Sequence, residues 1–513
     1  MGELVAQPSR LFRARKAPDG APVRNVAFSL CPVACRLAPV TVRLPSPNLP
    51  SLMKRFLVPF VLFVSAALPA LSLSGGLRAA PVTVDGFTFV KSLGGIDEYK
   101  LEANGLSVLL MPDRTAPVVT FMVTYHVGSR NEVTGSTGST HLLEHLMFKG
   151  GPNYNDAKGN SVKQFLEGIG GNYNATTWLD RTNYYAEVAN DKLEGYLAIE
   201  ADRMRNLWIR ESDRQTEMTV VRNEFEQGEN DPQQALDKEI FAAAFQAHPY
   251  HHNTIGWRSD IEKVPIEKLR AFYDTYYWPD NATATIIGDF DPAAALGLVN
   301  KYYGGYTKAP HPIPPMYTEE PEQTGPRRVM VQRSGEVGVV GISYKSPAGS
   351  DADWPALNVL ATILANGKTS RFYRGLTDRN LTTTVNASAD FYHDPSLFQV
   401  YAEIAPGVAH ETVEKALVDE IARVRTEGVT DAEVATAIGQ LDASVAYARD
   451  GSFAIASVIN EDIAAGDWTL YVTIPEATRK VTAADVKRVA GLYLDANKST
   501  TGWFVPVKAA ATK

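Results

Sequence analysis

The chain has 513 residues, which suggests several domains, and its hydrophobic share of 45% allows large buried cores. A net charge of −8 gives no reason to expect nucleic-acid binding, because that function generally needs a basic surface. The only two cysteines are Cys31 and Cys35, so the sequence beyond them offers neither a disulfide framework nor a cysteine nucleophile.

The N-terminal region differs in composition from the rest of the chain. Residues 1–52 are basic and contain scattered prolines without a sustained apolar period, and we interpret them as a non-native extension of the reading frame. Met53-Lys54-Arg55, an apolar run over 56–73 and the small residues after it predict a signal peptide at 53–80. We therefore expect export across the inner membrane to the periplasm, with no stable membrane span after cleavage. A retained signal anchor is the alternative, although the apolar run is marginal for a span.

From residue 81 the sequence has the short, mixed segments of a globular α+β domain, which we place at 81–305. Runs rich in β-branched and aromatic residues predict strands at 87–90, 99–101, 107–111, 118–127 and 284–291. Amphipathic periods and glycine stops predict helices at 160–168 and 266–276.

A metal-binding motif, His141-Leu-Leu-Glu144-His145, lies inside this domain. On a helix the two histidines are one turn apart, so both imidazoles project from one face and can bind one metal ion. Glu144 lies beside them, where a carboxylate can take the proton from a metal-bound water. The order His-x-x-Glu-His is typical of one class of zinc peptidases, and a chance match is the alternative.

The third metal ligand should come from a second helix, predicted at 211–227. Glu217 and Glu224 lie seven residues apart and therefore share one stripe of that helix, with Val220 or Val221 between them. We assign Glu224 to the metal and Glu217 to an auxiliary catalytic position next to it. Glu226 is the rival ligand, but it lies about 200° round the helix from Glu224. A solvated acidic face is the other interpretation of this stripe.

The sequence around the metal motif resembles the pitrilysin/insulinase family of zinc peptidases. Gly128-Ser-Arg-Asn-Glu132 precedes the motif and Phe148-Lys-Gly150 follows it. The resemblance implies one Zn²⁺ per chain, supports Glu224 as its third ligand, and implies that the protein encloses peptides in a chamber.

An alternating strand pair follows at 171–177 and 180–188. A peptide can bind to the exposed edge of a sheet as an added strand, which places few demands on its side chains. The family resemblance implies that Asn174 and Ala175 lie on such an edge and bind substrate. An ordinary hairpin is the alternative interpretation.

A proline-rich segment at 306–326 predicts a stiff linker to a second domain at 327–513. The second domain repeats the pattern of the first without its metal motif, with strands predicted at 338–344, 397–404 and 501–507 and helices at 354–365 and 411–427. The predicted fold is α+β, with two homologous domains that each pack helices on a mixed, mainly antiparallel sheet. The resemblance implies that the two domains form half of a clamshell.

The second domain departs from the family pattern where family members usually present an Arg and then a Tyr that bind substrate. Thr377 and Thr383 stand at about those positions, and Arg374 or Arg379 could substitute only after a shift in alignment. An oxyanion donor is typically worth about two to three orders of magnitude in rate. We therefore expect a homologous partner subunit to supply the Arg and Tyr, with a homodimer as the competing assembly.

The sequence thus predicts a zinc metalloendopeptidase that hydrolyses peptides as the metal-bearing subunit of a hetero-oligomer. A non-catalytic, zinc-containing scaffold of the same fold is the alternative. The sequence does not distinguish among leader-peptide clearance, nutrient peptide digestion and maturation of a peptide-derived product.

Overall fold

A computed structural model of the chain describes residues 80–507. The predicted N-terminal extension lies outside the described residues, as does the predicted signal peptide up to residue 79. Among the residues that the structure describes, no helix is both long enough and apolar enough to cross a membrane.

The first of two sheets has seven strands in the order β1-β2-β3-β7-β4-β6-β5. Strands β3 and β7 are parallel, and every other neighbouring pair is antiparallel. The strands are β1 (Phe87–Leu93), β2 (Ile96–Leu101), β3 (Ser107–Pro112), β4 (Val118–Tyr125), β5 (Asn172–Thr177), β6 (Thr182–Ala189) and β7 (Ala282–Gly288).

Eight α-helices belong to this half of the described chain. They are α1 (Ser139–Leu146), α2 (Val162–Ile169), α3 (Leu193–Arg205), α4 (Glu211–Asn230), α5 (Pro232–Ala244), α6 (Arg258–Lys263), α7 (Ile266–Tyr276) and α8 (Pro292–Tyr303). Leu142 of α1, Tyr196 of α3 and Leu296 of α8 join Phe121 of β4 in one buried cluster. That cluster is the core between the first sheet and its helices.

The second sheet has five strands in the order β10-β11-β9-β12-β8. The strands are β8 (Arg327–Ser334), β9 (Val339–Ser346), β10 (Thr382–Ala389), β11 (Ser396–Ile404) and β12 (Ser499–Val507). Its helices are α9 (Trp354–Ala365), α10 (His410–Glu427), α11 (Asp431–Tyr447), α12 (Ser452–Ala464), α13 (Leu470–Thr478) and α14 (Ala483–Tyr493).

The two sheets share one topology. In chain order, β3 to β7 match β8 to β12, because each set has the same neighbours and the same single parallel pair, formed by its first and last strands. The first sheet adds only the hairpin of β1 and β2. The predicted fold class, α+β with two sheet-and-helix domains, is therefore confirmed.

One helix from each half of the chain packs against the sheet of the other half. Helix α5 packs through Leu236 and Ile240 against the face of the second sheet that carries Val339. Helix α12 packs through Ile455 and Ile459 against the face of the first sheet that carries Met122. Both sheets are therefore covered on both faces, and both lie in one compact unit, Arg78–Lys513.

Some predicted elements end elsewhere in the structure, for local reasons. The strand predicted at 284–291 ends at Gly288, whose φ of 127° is far from a strand conformation. The helix predicted from residue 160 begins at Val162, because Ser161 caps it by accepting a hydrogen bond from the Gln164 amide. The strand predicted to reach residue 127 ends at Tyr125. The predicted domain limits stay predictions.

Candidate metal centre

Helix α1 begins at a position capped by the carboxylate of Glu132, six residues before its N-cap. Its N-cap, Gly138, has a φ of 81° and provides no capping side chain. Glu132 supplies the acceptor, because its carboxylate oxygens receive the backbone amides of Gly138 at 2.8 Å and Thr140 at 2.7 Å. Burial raises the pKa of Glu132 to about 8, against the lowering effect of these hydrogen bonds.

The two histidines of α1 approach a glutamate of α4. The imidazole rings of His141 and His145 have centroids 4.9 Å apart. Glu224 Oε2 lies 3.6 Å from His141 Nε2 and 3.7 Å from His145 Nε2. The three predicted ligands thus form one group whose donor atoms all lie within 4.8 Å of one another.

Helix α4 also brings Glu217 to the metal-binding helix. Glu217 Oε2 lies 3.0 Å from His145 Nδ1, and Glu217 Oε1 lies 2.5 Å from Lys149 Nζ. Burial raises the pKa of Glu217, but the hydrogen bonds from Lys149 and His145 lower it more, so the net direction is down. The ionised carboxylate therefore bridges Lys149 to His145 and can orient the imidazole.

The structure shows which of the other α4 residues face the helix that carries the histidines. Val221 is fully buried between the two glutamates, whereas Val220 is 40% exposed. Glu226 lies outside the histidine group, with Oε1 at 3.5 Å from an Arg258 guanidinium nitrogen. Glu217 is buried, whereas the Glu224 side chain is 41% exposed, so the stripe is solvated only at its Glu224 end, and Glu226 does not reach the histidines.

The donor set fits a zinc ion. Burial, and then the neighbouring His145, lowers the pKa of His141 to about 3, so its imidazole is neutral and able to bind a metal. Two imidazole nitrogens and one carboxylate oxygen form a ligand set found in catalytic zinc sites, where water or substrate takes the fourth position. The buried His141 Nδ1 has no hydrogen-bond partner among the described residues.

Glu144 lies on α1 with its side chain buried. Burial raises the pKa of Glu144, while a hydrogen bond from Thr177 and the charges of His145 and Arg181 lower it to a smaller extent. Thr177 Oγ1 donates to Glu144 Oε2 over 2.6 Å. A carboxylate with a raised pKa is a stronger base than an exposed one.

Strand β5 is an edge strand of the first sheet, since β6 is the only strand that pairs with it among the residues that the structure describes. Asn174 is exposed on it and Ala175 is buried, in register with Tyr185 and Tyr184 of β6. The structure therefore places both residues on a sheet edge that contacts helix α1. Their role in binding substrate stays a prediction.

The segment of the second half that should carry an Arg and a Tyr has a different local structure. Thr377 ends a short π-helical turn that begins at Tyr373, and its Oγ1 lies 3.0 Å from Thr382 Oγ1. Thr383 is on the edge strand β10 and donates to a Glu403 carboxylate oxygen at 3.0 Å. The exposed Arg374 and Arg379 have no hydrogen bond or ion pair between side chains in the described part of the chain.

The inverted motif on a two-domain α+β fold defines a class of metallopeptidases. Two family models match the chain: "Insulinase (Peptidase family M16)" over residues 107–257 and "Peptidase M16 inactive domain" over residues 263–441. The chain belongs to the insulinase family, peptidase family M16, as the resemblance predicted.

Relatives in this family are named as proteases. "Zinc protease PqqE" of Helicobacter pylori is 29% identical over 412 residues, covering 79% of this chain and 91% of the relative. "Probable mitochondrial-processing peptidase subunit beta" of Arabidopsis thaliana is 27% identical, covering 76% of this chain and 75% of the relative.

Solved structures share the fold. The crystal structure of a Helicobacter pylori protease has a TM-score of 0.77 and 28% identity, covering 81% of this chain and all of that one. A Pseudomonas fluorescens structure titled "peptidase M16 inactive domain" has a TM-score of 0.70 at 16% identity, covering 81% of this chain and 98% of that one. The second likeness concerns the fold alone.

Proposed function

We propose that the chain is a zinc-dependent endopeptidase that hydrolyses peptides in an enclosed chamber. The observation that carries this proposal is the convergence of His141, His145 and Glu224 beside Glu144. The protease names of several relatives support it. His141, His145 and Glu224 would hold one Zn²⁺ per chain, and the bound ion would polarise the scissile carbonyl and acidify water.

Glu144 acts as the general base and then as the general acid. Its carboxylate takes a proton from the attacking water and passes that proton to the leaving amine. Glu217 orients the His145 imidazole through the contact of its carboxylate with Nδ1, so that Nε2 is directed at the metal position.

Substrate binds as an extended strand along β5, in contact with Asn174 and Ala175. The edge position of β5 supports this mode, because no strand within residues 80–507 pairs with its outer backbone groups. Main-chain pairing there would accept many peptide sequences, and the chamber would favour short, flexible peptides over folded proteins.

A homologous partner subunit supplies the Arg and Tyr that bind substrate. The hydroxyls at Thr377 and Thr383, together with relatives named as subunits of a processing peptidase, support this assembly. We also propose export to the periplasm, which rests on the sequence pattern at 53–80 alone.

A second candidate function is a non-catalytic, zinc-containing scaffold. Thr377 and Thr383, which stand where family members usually present an Arg and a Tyr, favour this candidate. The match of residues 263–441 to a domain described as inactive fits both candidates, because the three predicted metal ligands lie outside it. It shares the metal site with the peptidase proposal, so zinc content alone does not separate the two.

The separating experiment measures zinc content and hydrolysis of a quenched peptide library in parallel. We expect one zinc per chain and activity that a zinc chelator abolishes and added Zn²⁺ restores, with full rates only when the co-purifying partner is present. Zinc binding without hydrolysis in any assembly would favour the scaffold. Full activity of the isolated monomer would refute the partner requirement.

Replacing Lys149 with Met should weaken zinc binding by less than the about 10- to 100-fold that follows loss of a direct hydrogen-bond partner of a metal ligand, because Lys149 acts on His145 only through Glu217. The variant removes the ion pair that holds Glu217 against His145. Competition with a chromophoric chelator measures the affinity. Lys163→Met is the matched control, because Lys163 is exposed on α2 and its ion pair, with Glu167 at 3.8 Å, is also exposed. Equal affinities in both variants would show that Glu217 keeps its position against His145 without the Lys149 ion pair.

A further inference from the structure

The Glu144 carboxylate has a single hydrogen-bond donor among the described residues, and that donor comes from strand β5. Thr177 Oγ1 lies 2.6 Å from Glu144 Oε2, and both residues are only 8% exposed. Within residues 80–507, no hydrogen bond reaches Glu144 Oε1. One carboxylate oxygen is therefore fixed, and the other is left without a donor.

Thr177 is itself held by its surroundings. It pairs with Thr182 at one end of the β5–β6 ladder, and Thr182 Oγ1 donates to the Val127 carbonyl at 2.9 Å. Its β-branched side chain has restricted rotation about χ1, so the hydroxyl has few alternative positions. The Thr177 hydroxyl that donates to Glu144 is consequently restricted in position.

A general base needs this kind of restraint. The glutamate side chain has several rotatable bonds, and proton transfer requires its carboxylate at hydrogen-bond distance from the water that it deprotonates. Misplacement by about 1 Å can cost about 100-fold in rate. A donor on Oε2 fixes the direction of the carboxylate and leaves Oε1 for the proton.

We propose that Thr177 is a positioning residue. Its hydroxyl fixes the Glu144 carboxylate and connects it to β5, the strand that we propose pairs with the peptide substrate. Asn174 and Ala175 lie on the same strand as Thr177. The hydrogen bond from Thr177 to Glu144 therefore fixes the position of the base relative to a peptide that is bound along β5. The inference rests on the proposed function, because it assigns Glu144 the role of base.

Two substitutions separate the hydroxyl from the shape of the side chain. Thr177→Val keeps the branched shape and removes the donor, and we expect kcat to fall about 10- to 100-fold. KM should stay within about twofold, because the peptide itself loses no contact. Thr177→Ser keeps the donor and should recover kcat to within about threefold of the natural chain. Zinc content should stay at one per chain in both variants.

Thr362→Val is the matched control. Thr362 is 7% exposed on α9, and its hydroxyl donates to the Asn358 carbonyl of the same helix at 2.9 Å. We expect unchanged kcat and KM in this variant, which measures the general effect of removing a buried threonine hydroxyl. A fall in kcat equal to that of Thr177→Val would overturn the proposal.

Crystal structures of the zinc-loaded variants provide a readout that does not depend on turnover. We expect one Glu144 rotamer in the natural chain and in Thr177→Ser, and several in Thr177→Val. The proposal fails if Thr177→Val has the kcat of the natural chain and a single Glu144 rotamer. It also fails if kcat falls as far in Thr177→Ser as in Thr177→Val. If the natural chain hydrolyses no peptide, the proposed function fails, and the rotamers still decide whether Thr177 positions Glu144.

Discussion

Glu144→Gln should abolish peptide hydrolysis while zinc remains bound. The amide has nearly the shape of the carboxylate, and its carbonyl oxygen can still accept the Thr177 hydroxyl. It cannot take a proton from water, so kcat should fall by about 10²- to 10⁴-fold, the usual contribution of a general acid–base group. The three predicted metal ligands are unchanged, and the zinc content should therefore stay at one per chain.

A second glutamine substitution controls for the loss of a glutamate charge as such, at an exposed position that has no contact with the predicted metal ligands in the described part of the chain. Glu167 is exposed on α2, where its carboxylate lies 3.8 Å from Lys163. Glu167→Gln should leave kcat unchanged in the same peptide assay. If Glu144→Gln kept more than a small fraction of the natural kcat with zinc bound, another group would have to be the base. Loss of zinc from Glu144→Gln would leave the assignment to be decided by a variant that keeps the metal.

The parts of the site that the sequence predicted are those defined by spacing within one helix. His141, Glu144 and His145 are specified by the period of α1, and Glu217 and Glu224 by that of α4. Helical geometry fixes such relations before any tertiary contact forms. The structure then brings the two helices together, which the sequence pattern alone left open.

The contacts that support these residues were not predicted, because they join separate segments. Thr177 meets Glu144 across 33 positions, and Lys149 meets Glu217 across 217 − 149 = 68 positions. Glu132 reaches the first turn of α1 from only six residues before Gly138, and its acidic side chain just before a glycine-rich turn was the one available signal. Spacing rules do not describe contacts of this kind.

The exchange of helices between the sheets was also beyond the sequence. The apolar positions of α5 and α12 predict that one face of each helix is buried. They do not say which sheet buries that face, since aliphatic side chains pack against either sheet without directional bonds. Duplication was easier to detect, because the repeated order of strands and helices leaves a repeated pattern in the sequence.

Glu200→Gln should lower the free energy of unfolding by about 3–5 kcal/mol, the usual cost of leaving one partner of a buried ion pair uncompensated. Glu200 is fully buried on α3, where its carboxylate binds the Arg203 guanidinium and accepts a hydrogen bond from Tyr196 at 3.0 Å. Burial lowers the pKa of Arg203, but the charge of Glu200 raises it above the ordinary value. A guanidinium does not deprotonate in proteins, so Arg203 stays charged when Glu200 is neutralised, although the raising effect of Glu200 on its pKa is lost.

Two further variants show whether the loss comes from the unpaired charge. Glu194→Gln, on the same helix, breaks an exposed ion pair with Lys301 and should change the urea midpoint little, because water screens that pair. Replacing Glu200 and Arg203 together with Leu should cost less than Glu200→Gln alone, since no buried charge is left without a partner. Equal losses for the pair and for the single variant would show that packing, and not the charge of Arg203, determines the stability of α3.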